Sequence, residues 1–121
     1  NVAFERGCIT GLAARFPDLS DALMARAERL VDALPLVRAH YYHRDMRGSY
    51  SIKAVLPVVA PHLSYSDLEG VRDGQGAQIA YLEATAPETT LQRRVQLHGQ
   101  LSSYCGLDTL AMVELVRALS A

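Results

Sequence analysis

Near its C-terminus the chain reads "SSYCGLDTLAMVEL", with Tyr104 and Asp108 four residues apart. On a helix that spacing is one turn and sets both side chains on one face, about 5–6 Å apart at Cβ. A carboxylate beside a phenol in that register has two uses. Joined by carboxylates from other elements, Asp108 could hold a catalytic cation while Tyr104 orients the attacking water. Hydrolysis by two metal ions needs carboxylates converging on cations about 3.5–4 Å apart. Alternatively, Asp108 caps the last helix and Tyr104 packs with its hydroxyl in water. Spacing alone favours the cap.

A second stretch, "RAHYYHRDMRGSYSIK", interleaves Arg38, Arg44, Arg47 and Lys53 with Tyr41, Tyr42 and Tyr50. Aromatic faces stack bases and cations meet phosphates, each stacked base being worth about 1–3 kcal/mol. Arg47, Tyr50 and Lys53 are therefore the candidates for contact with single-stranded nucleic acid. The same composition also describes a solvated loop anchored by its tyrosines. The tight "GSYS" favours that structured reading, with Gly48 for a turn, Tyr50 for packing and Ser51 for a cap.

The remaining reactive residue types are less promising. His40-x-x-His43 would pair two imidazoles only on a helix, and no third ligand is close in sequence, so a zinc site is not expected. "GVRDGQG" matches neither phosphate-loop nor dinucleotide spacing, and Asp73 reads as a helix cap. Cys8 and Cys105 form no C-x-x-C pair and no disulfide framework. They are expected to be reduced, buried, small apolar residues of a cytoplasmic protein.

These residues must be positioned by helices. Phe4, Cys8, Ile9, Leu12, Ala13 and Phe16 recur at spacings of three and four, a stripe that Pro17 stops. Asp18 or Ser20 can cap a second helix with Leu23, Ala27, Leu30 and Val31 inward. "RLVDALPLV" is apolar and interrupted by Pro35, so it reads either as a helix end or as one short buried strand. Ser51 caps a short helix that Pro57 ends nearby. A glycine- and proline-rich connector follows, then a helix over 75–84. Thr89 or Thr90 starts the next, and 107–119 is apolar almost all round, as for a helix buried on most sides. Gly106 costs about 1 kcal/mol against alanine and is a place to break or bend.

At 121 residues the chain fits one domain. A net charge of −1 supplies no global attraction to nucleic acid or an anionic membrane, so such binding needs a local patch. The longest apolar run, 54–60, falls far short of the ~20 residues of a membrane span. The chain opens at Asn1 without methionine or a basic-then-apolar leader, directly in helical sequence, and reads as a piece of something longer.

Several groups together resemble a known pattern. "YCGLDT" is similar to the Tyr-x-x-x-Asp motif of the tyrosine-type DEDD 3′–5′ exonucleases, which have an RNase H-like fold. "NVAFE" at Asn1 to Glu5 looks like their Asn-x-x-Phe-Asp motif, with glutamate for the last residue. "GSYSIKAVLP" and "PHLSYSDLEGVRDGQGAQIAY" extend the likeness to the C-terminal half of a bacterial domain-of-unknown-function family assigned to that superfamily.

The resemblance implies a mainly α fragment, with at most one or two short strands, from an α/β RNase H-like fold whose sheet lies mostly upstream. It implies Asp108 and Glu5 as ligands of Mg or Mn ions in the full-length protein, Tyr104 as the water-orienting residue, and Asn1 as support for Glu5 and a candidate nucleic-acid contact beside Arg47, Tyr50 and Lys53. Two departures follow: the Asp-x-Glu pair of the opening strand would precede Asn1, and Glu5 is one methylene longer than aspartate. The expectation is thus a nucleic-acid hydrolase in full-length context and an inactive fragment that binds no ion itself. The competing expectation is a non-catalytic helical module for protein interaction or scaffolding. Without the sheet, the faces carrying Leu12, Leu110 and Val113 would lack cover, and the fragment is expected to self-associate, as a symmetric dimer, or to collapse into an all-helical arrangement.

Overall fold

A computed structural model describes residues 2–121; Asn1 lies outside them. Six α-helices appear among the described residues: α1 (Val2–Arg15), α2 (Ser20–Glu28), α3 (Ala33–His40), α4 (Ile52–Val59), α5 (Gly74–Thr85) and α6 (Leu91–Ser120). One-turn 3₁₀ segments at Pro17–Leu19, Arg44–Met46 and Tyr65–Asp67 join them. No strand occurs among the described residues, so the mainly helical expectation holds. The chain divides into two compact units, Asn1–Tyr41 and Tyr42–Ala121.

In the first unit α1 packs on α2, and Ala13 and Ala27 are buried. Pro17 ends α1 as expected and opens the 3₁₀ turn, but neither Asp18 nor Ser20 caps α2. Leu19 holds the N-cap position without a side-chain bond. The ambiguous "RLVDALPLV" is not a strand: it holds the end of α2, with Arg29 as its C-cap, and then the start of α3. Asp32 accepts a hydrogen bond from Leu34 N at 3.0 Å. Pro35 falls in the first turn, where a missing N–H leaves no helical bond unmade. The α1 stripe is helical but largely uncovered: Phe4, Cys8, Leu12 and Phe16 are all exposed.

The second unit has a fuller core. Leu56, Ala60 and Ala111 are buried between α4 and α6, backed by Ile52, Val59, Leu63, Tyr65 and Leu107. Val71, Ala80 and Leu97 form a second cluster between α5 and α6. Ser51 stands at the N-cap of α4 but makes no side-chain cap bond, and Pro57 sits inside that helix, two residues before its end. Asp73 caps α5 by accepting from Gly76 N at 2.7 Å. Thr90 caps α6 by accepting from Arg93 N at 3.3 Å. Gly70, at φ +71°, brings the backbone against the Gln100 side chain where a Cβ would collide. Both features favour glycine there.

The two C-terminal helical runs are one helix of 30 residues, and Gly106 does not break it. The cost of about 1 kcal/mol is easily met when the flanking turns bury Leu97 and Ala111 against neighbouring helices. The C-terminal half is not buried on most sides, however. Leu110, Met112, Val113 and Val116 are 40–56% exposed, because neighbours cover only one side of a helix that is apolar all round.

Candidate functional site

Tyr104 and Asp108 lie one turn apart on unbroken α6, both half-buried. The expectation that Asp108 is a helix cap is therefore corrected: it lies in the helix interior, seventeen residues past Leu91 (108 − 91). Its carboxylate bonds elsewhere. The connector after α4 turns through Tyr65–Asp67, where Ser64 accepts from Ser66 N at 3.2 Å. That turn presents the Tyr65 hydroxyl, which donates to Asp108 Oδ1 at 2.5 Å.

Further groups close the cluster. The Tyr65 and Tyr104 rings are tilted by 53° with centroids 6.2 Å apart. Lys53 Nζ, from the first turn of α4, stands 5.6 Å from the Tyr65 centroid, within cation–π range. The start of α5 borders the other side, since a Cβ on Gly74 would lie 4.0 Å from the Tyr104 hydroxyl. Three helices and a connector thus meet around one carboxylate. Lys53 also lines an open cleft of about 400 Å³, with His43 and Asp45 at one edge and Pro57 and Val58 at another.

Both phenols are held in the protonated form. Burial, then the hydrogen bond to Asp108 and its negative charge, raise Tyr65 well above the usual tyrosine range. Burial first, then Asp108 through its hydrogen bond and charge, and more weakly Cys105 and Asp73, push Tyr104 up to about 12. At neutral pH the cluster is one carboxylate faced by two neutral O–H donors. Hydrogen bonds to a charged acceptor are among the stronger kinds.

This donor set does not by itself fit Mg or Mn. Mg²⁺ is octahedral, with one or two carboxylates and several waters, and a pair of ions about 3.5–4 Å apart needs carboxylates converging from more than one element. Asp108 supplies one, its neighbours are phenols, and no group of three or more His, Cys, Asp or Glu is arranged to hold an ion among the described residues.

The other expected site residues are scattered. Glu5 is exposed on α1 in the first unit, and Asn1 lies outside the described residues. Arg38 lies on α3 and Lys53 on α4, whereas Tyr41, Tyr42, Arg44, Arg47 and Tyr50 lie in the connector between them, as the loop reading expects. Arg47 takes a left-handed conformation, φ 50°, followed by Gly48 at φ 80°. Tyr50 is half-buried with its ring 6.4 Å from that of Tyr42, in keeping with an anchoring role. His40 ends α3, and His43 caps the Arg44–Met46 turn with Nδ1 accepting from Asp45 N. Cys8 and Cys105 are exposed, contrary to expectation. Cys105 is one residue from Tyr104, about 100° around the helix and off its inward face.

Sequence reasoning missed Tyr65. It sits in a polar connector whose composition says only that the chain turns there; the one signal was its place in the "LSY" group.

A family model described as a domain of unknown function (DUF2779) matches residues 1–51. The match takes in the first unit and the opening of the second as far as Ser51, and ends before Tyr65, Tyr104 and Asp108. No curated protein and no solved structure matches the chain. No helix among the described residues is long and apolar enough to cross a membrane.

Proposed function

We propose that this chain is the helical C-terminal part of a nucleic-acid hydrolase domain of the 3′–5′ exonuclease kind, in which Asp108 and Tyr104 form one wall of the site. The observation that carries this reading is their shared face on α6, both half-buried beside a third polar residue from a distant connector. Because the residues present do not make an ion site, this reading requires further carboxylates from a longer polypeptide; within this chain Glu5 is the carboxylate that the sequence resemblance offers, with Asn1 as its support. Tyr104 stays protonated at neutral pH and can donate a hydrogen bond to a water or a phosphate oxygen. Single-stranded nucleic acid is the substrate class, with Lys53, Arg47 and Tyr50 as candidate contacts.

The test is manganese-dependent degradation of single-stranded DNA and RNA by the longer polypeptide, beside its Asp108→Ala variant. Loss of degradation in the variant supports the reading; equal degradation by both removes Asp108 from any catalytic account.

A specific observation favours a second reading, the non-catalytic helical module. The Asp108 carboxylate is already engaged by Tyr65, as in a purely structural brace. Exposed Leu110, Met112, Val113 and Val116 would then serve as a contact surface, self-association of this chain included. A solution mass of 13.2 kDa at high concentration would count against self-association.

A further inference from the structure

We propose that Tyr65 is the positioning residue for Asp108, holding its carboxylate in the single orientation that the proposed site uses. This rests on the hydrolase reading above and adds a residue to it.

The geometry is that of a clamp. Asp108 lies on α6, which by itself leaves the carboxylate free to rotate among staggered wells. Tyr65 arrives from 43 positions away in sequence and engages one oxygen, Oδ1, at 2.5 Å. The phenol is itself held on two sides. Its ring packs against the Leu56, Ala60 and Ala111 cluster and meets Tyr104 at 6.2 Å, while Lys53 stands over its face. A donor whose ring is fixed by packing can fix its acceptor, which is how supporting residues hold reactive groups within a fraction of an ångström. The bond occupies Oδ1, so the remaining acceptor capacity of the carboxylate, Oδ2 foremost, is what the clamp presents to the site. Packing alone does not require the hydroxyl: a phenylalanine would fill the same ring volume against α6.

Tyr65→Phe removes the donor and keeps the ring, which makes it the decisive variant. In the 121-residue chain, NMR couplings of the Asp108 side chain should report one rotamer in wild type and averaging over several in Tyr65→Phe. In the longer polypeptide the same change should lower kcat on the order of tenfold to a hundredfold, the penalty of a misplaced group, with KM little altered. An unchanged Asp108 rotamer in Tyr65→Phe overturns the proposal, since the ring would then suffice. So does wild-type kcat in Tyr65→Phe while Asp108→Ala is inactive, an outcome that leaves the hydrolase reading standing. If Asp108→Ala also keeps full activity, the hydrolase reading fails and this assignment with it. A Tyr65→Phe chain that does not fold makes Tyr65 a residue of the fold and likewise overturns the positioning role.

Discussion

The two units of this chain are both helical, yet they are put together differently. In the first, Ala13, Ala27 and Val37 are the buried residues, while Phe4, Leu12, Phe16, Leu19, Met24, Val31, Leu34 and Leu36 stay exposed. In the second, Met46, Val55, Leu56 and Leu97 are fully buried, and specific polar bonds tie distant segments together. Burial stabilises in proportion to apolar area removed from water, at about 25 cal/mol per Å². A helix pair that buries alanines gains far less per residue than one that buries leucine and methionine. Stability should therefore be uneven along the chain, with α1 and α2 opening below the global free energy and the α4–α6 core opening only with it.

The largest effect that can sharpen this contrast comes from the core of the second unit. Leu56 has no exposed surface and sits between α4 and α6. Leu56→Ala should cost about 2–5 kcal/mol, through lost transfer energy and the cavity left behind. Ala13→Gly, at the buried position of α1, should cost about 1 kcal/mol, mostly through helix propensity. Urea unfolding of the two variants measures both. Equal losses would break the comparison and make the first unit as much a part of the cooperative core as the second.

An intermediate effect is expected at alkaline pH. The fold keeps the proton on Tyr104 up to about 12, against 10.0 for an ordinary tyrosine. Between those values the folded state binds more protons than the unfolded chain, so stability is complete below pH 10 and falls as pH rises toward 12. Tyr65, raised for the same reasons, deepens the decline. Urea midpoints followed through this window should fall less steeply in Tyr65→Phe than in wild type, because one raised phenol is gone. Parallel slopes would mean that Tyr65 ionises alike in folded and unfolded chains, and the polar cluster would add nothing to the contrast between the units.

How much of this was legible in the sequence varies with the kind of signal. The Asp73 and Thr90 caps, the proline end of α1 and the helical periodicity are local, and local rules found them. The shared face of Tyr104 and Asp108 followed from spacing once the segment was helical. Local rules also misplace caps, since neither Asp18 nor Ser20 caps α2 and Ser51 makes no cap bond. Other failures depend on neighbours: Gly106 is a place to break or bend by propensity, yet tertiary packing carries α6 through it. Cys8 and Cys105 were expected inside because cysteine usually is, but no local rule says which face of a helix finds cover. Tyr65 was invisible for the same reason. Its partner is 43 residues away, and nothing in "HLSYSD" announces an aspartate on another helix.

The smallest effect tests whether the exposed polar bonds of the second unit matter beyond its buried side chains. Arg93 grips Glu83 with Nε at 2.7 Å and Nη2 at 3.1 Å, closing the turn between α5 and α6. The hydrogen bond and charge of Arg93 hold the Glu83 carboxyl below its ordinary value. Its contribution is thus present above the unfolded carboxyl pKa and lost as pH falls through the folded one. Both side chains are about 40% exposed, so water and salt screen the pair. Arg93→Ala should lower the urea midpoint slightly at neutral pH and low salt. The difference should shrink in concentrated salt and again in acid, where Glu83 is protonated in either protein. A loss as large as that of Leu56→Ala would reverse the ranking, making the fastened turn rather than the buried leucine what separates the second unit from the first.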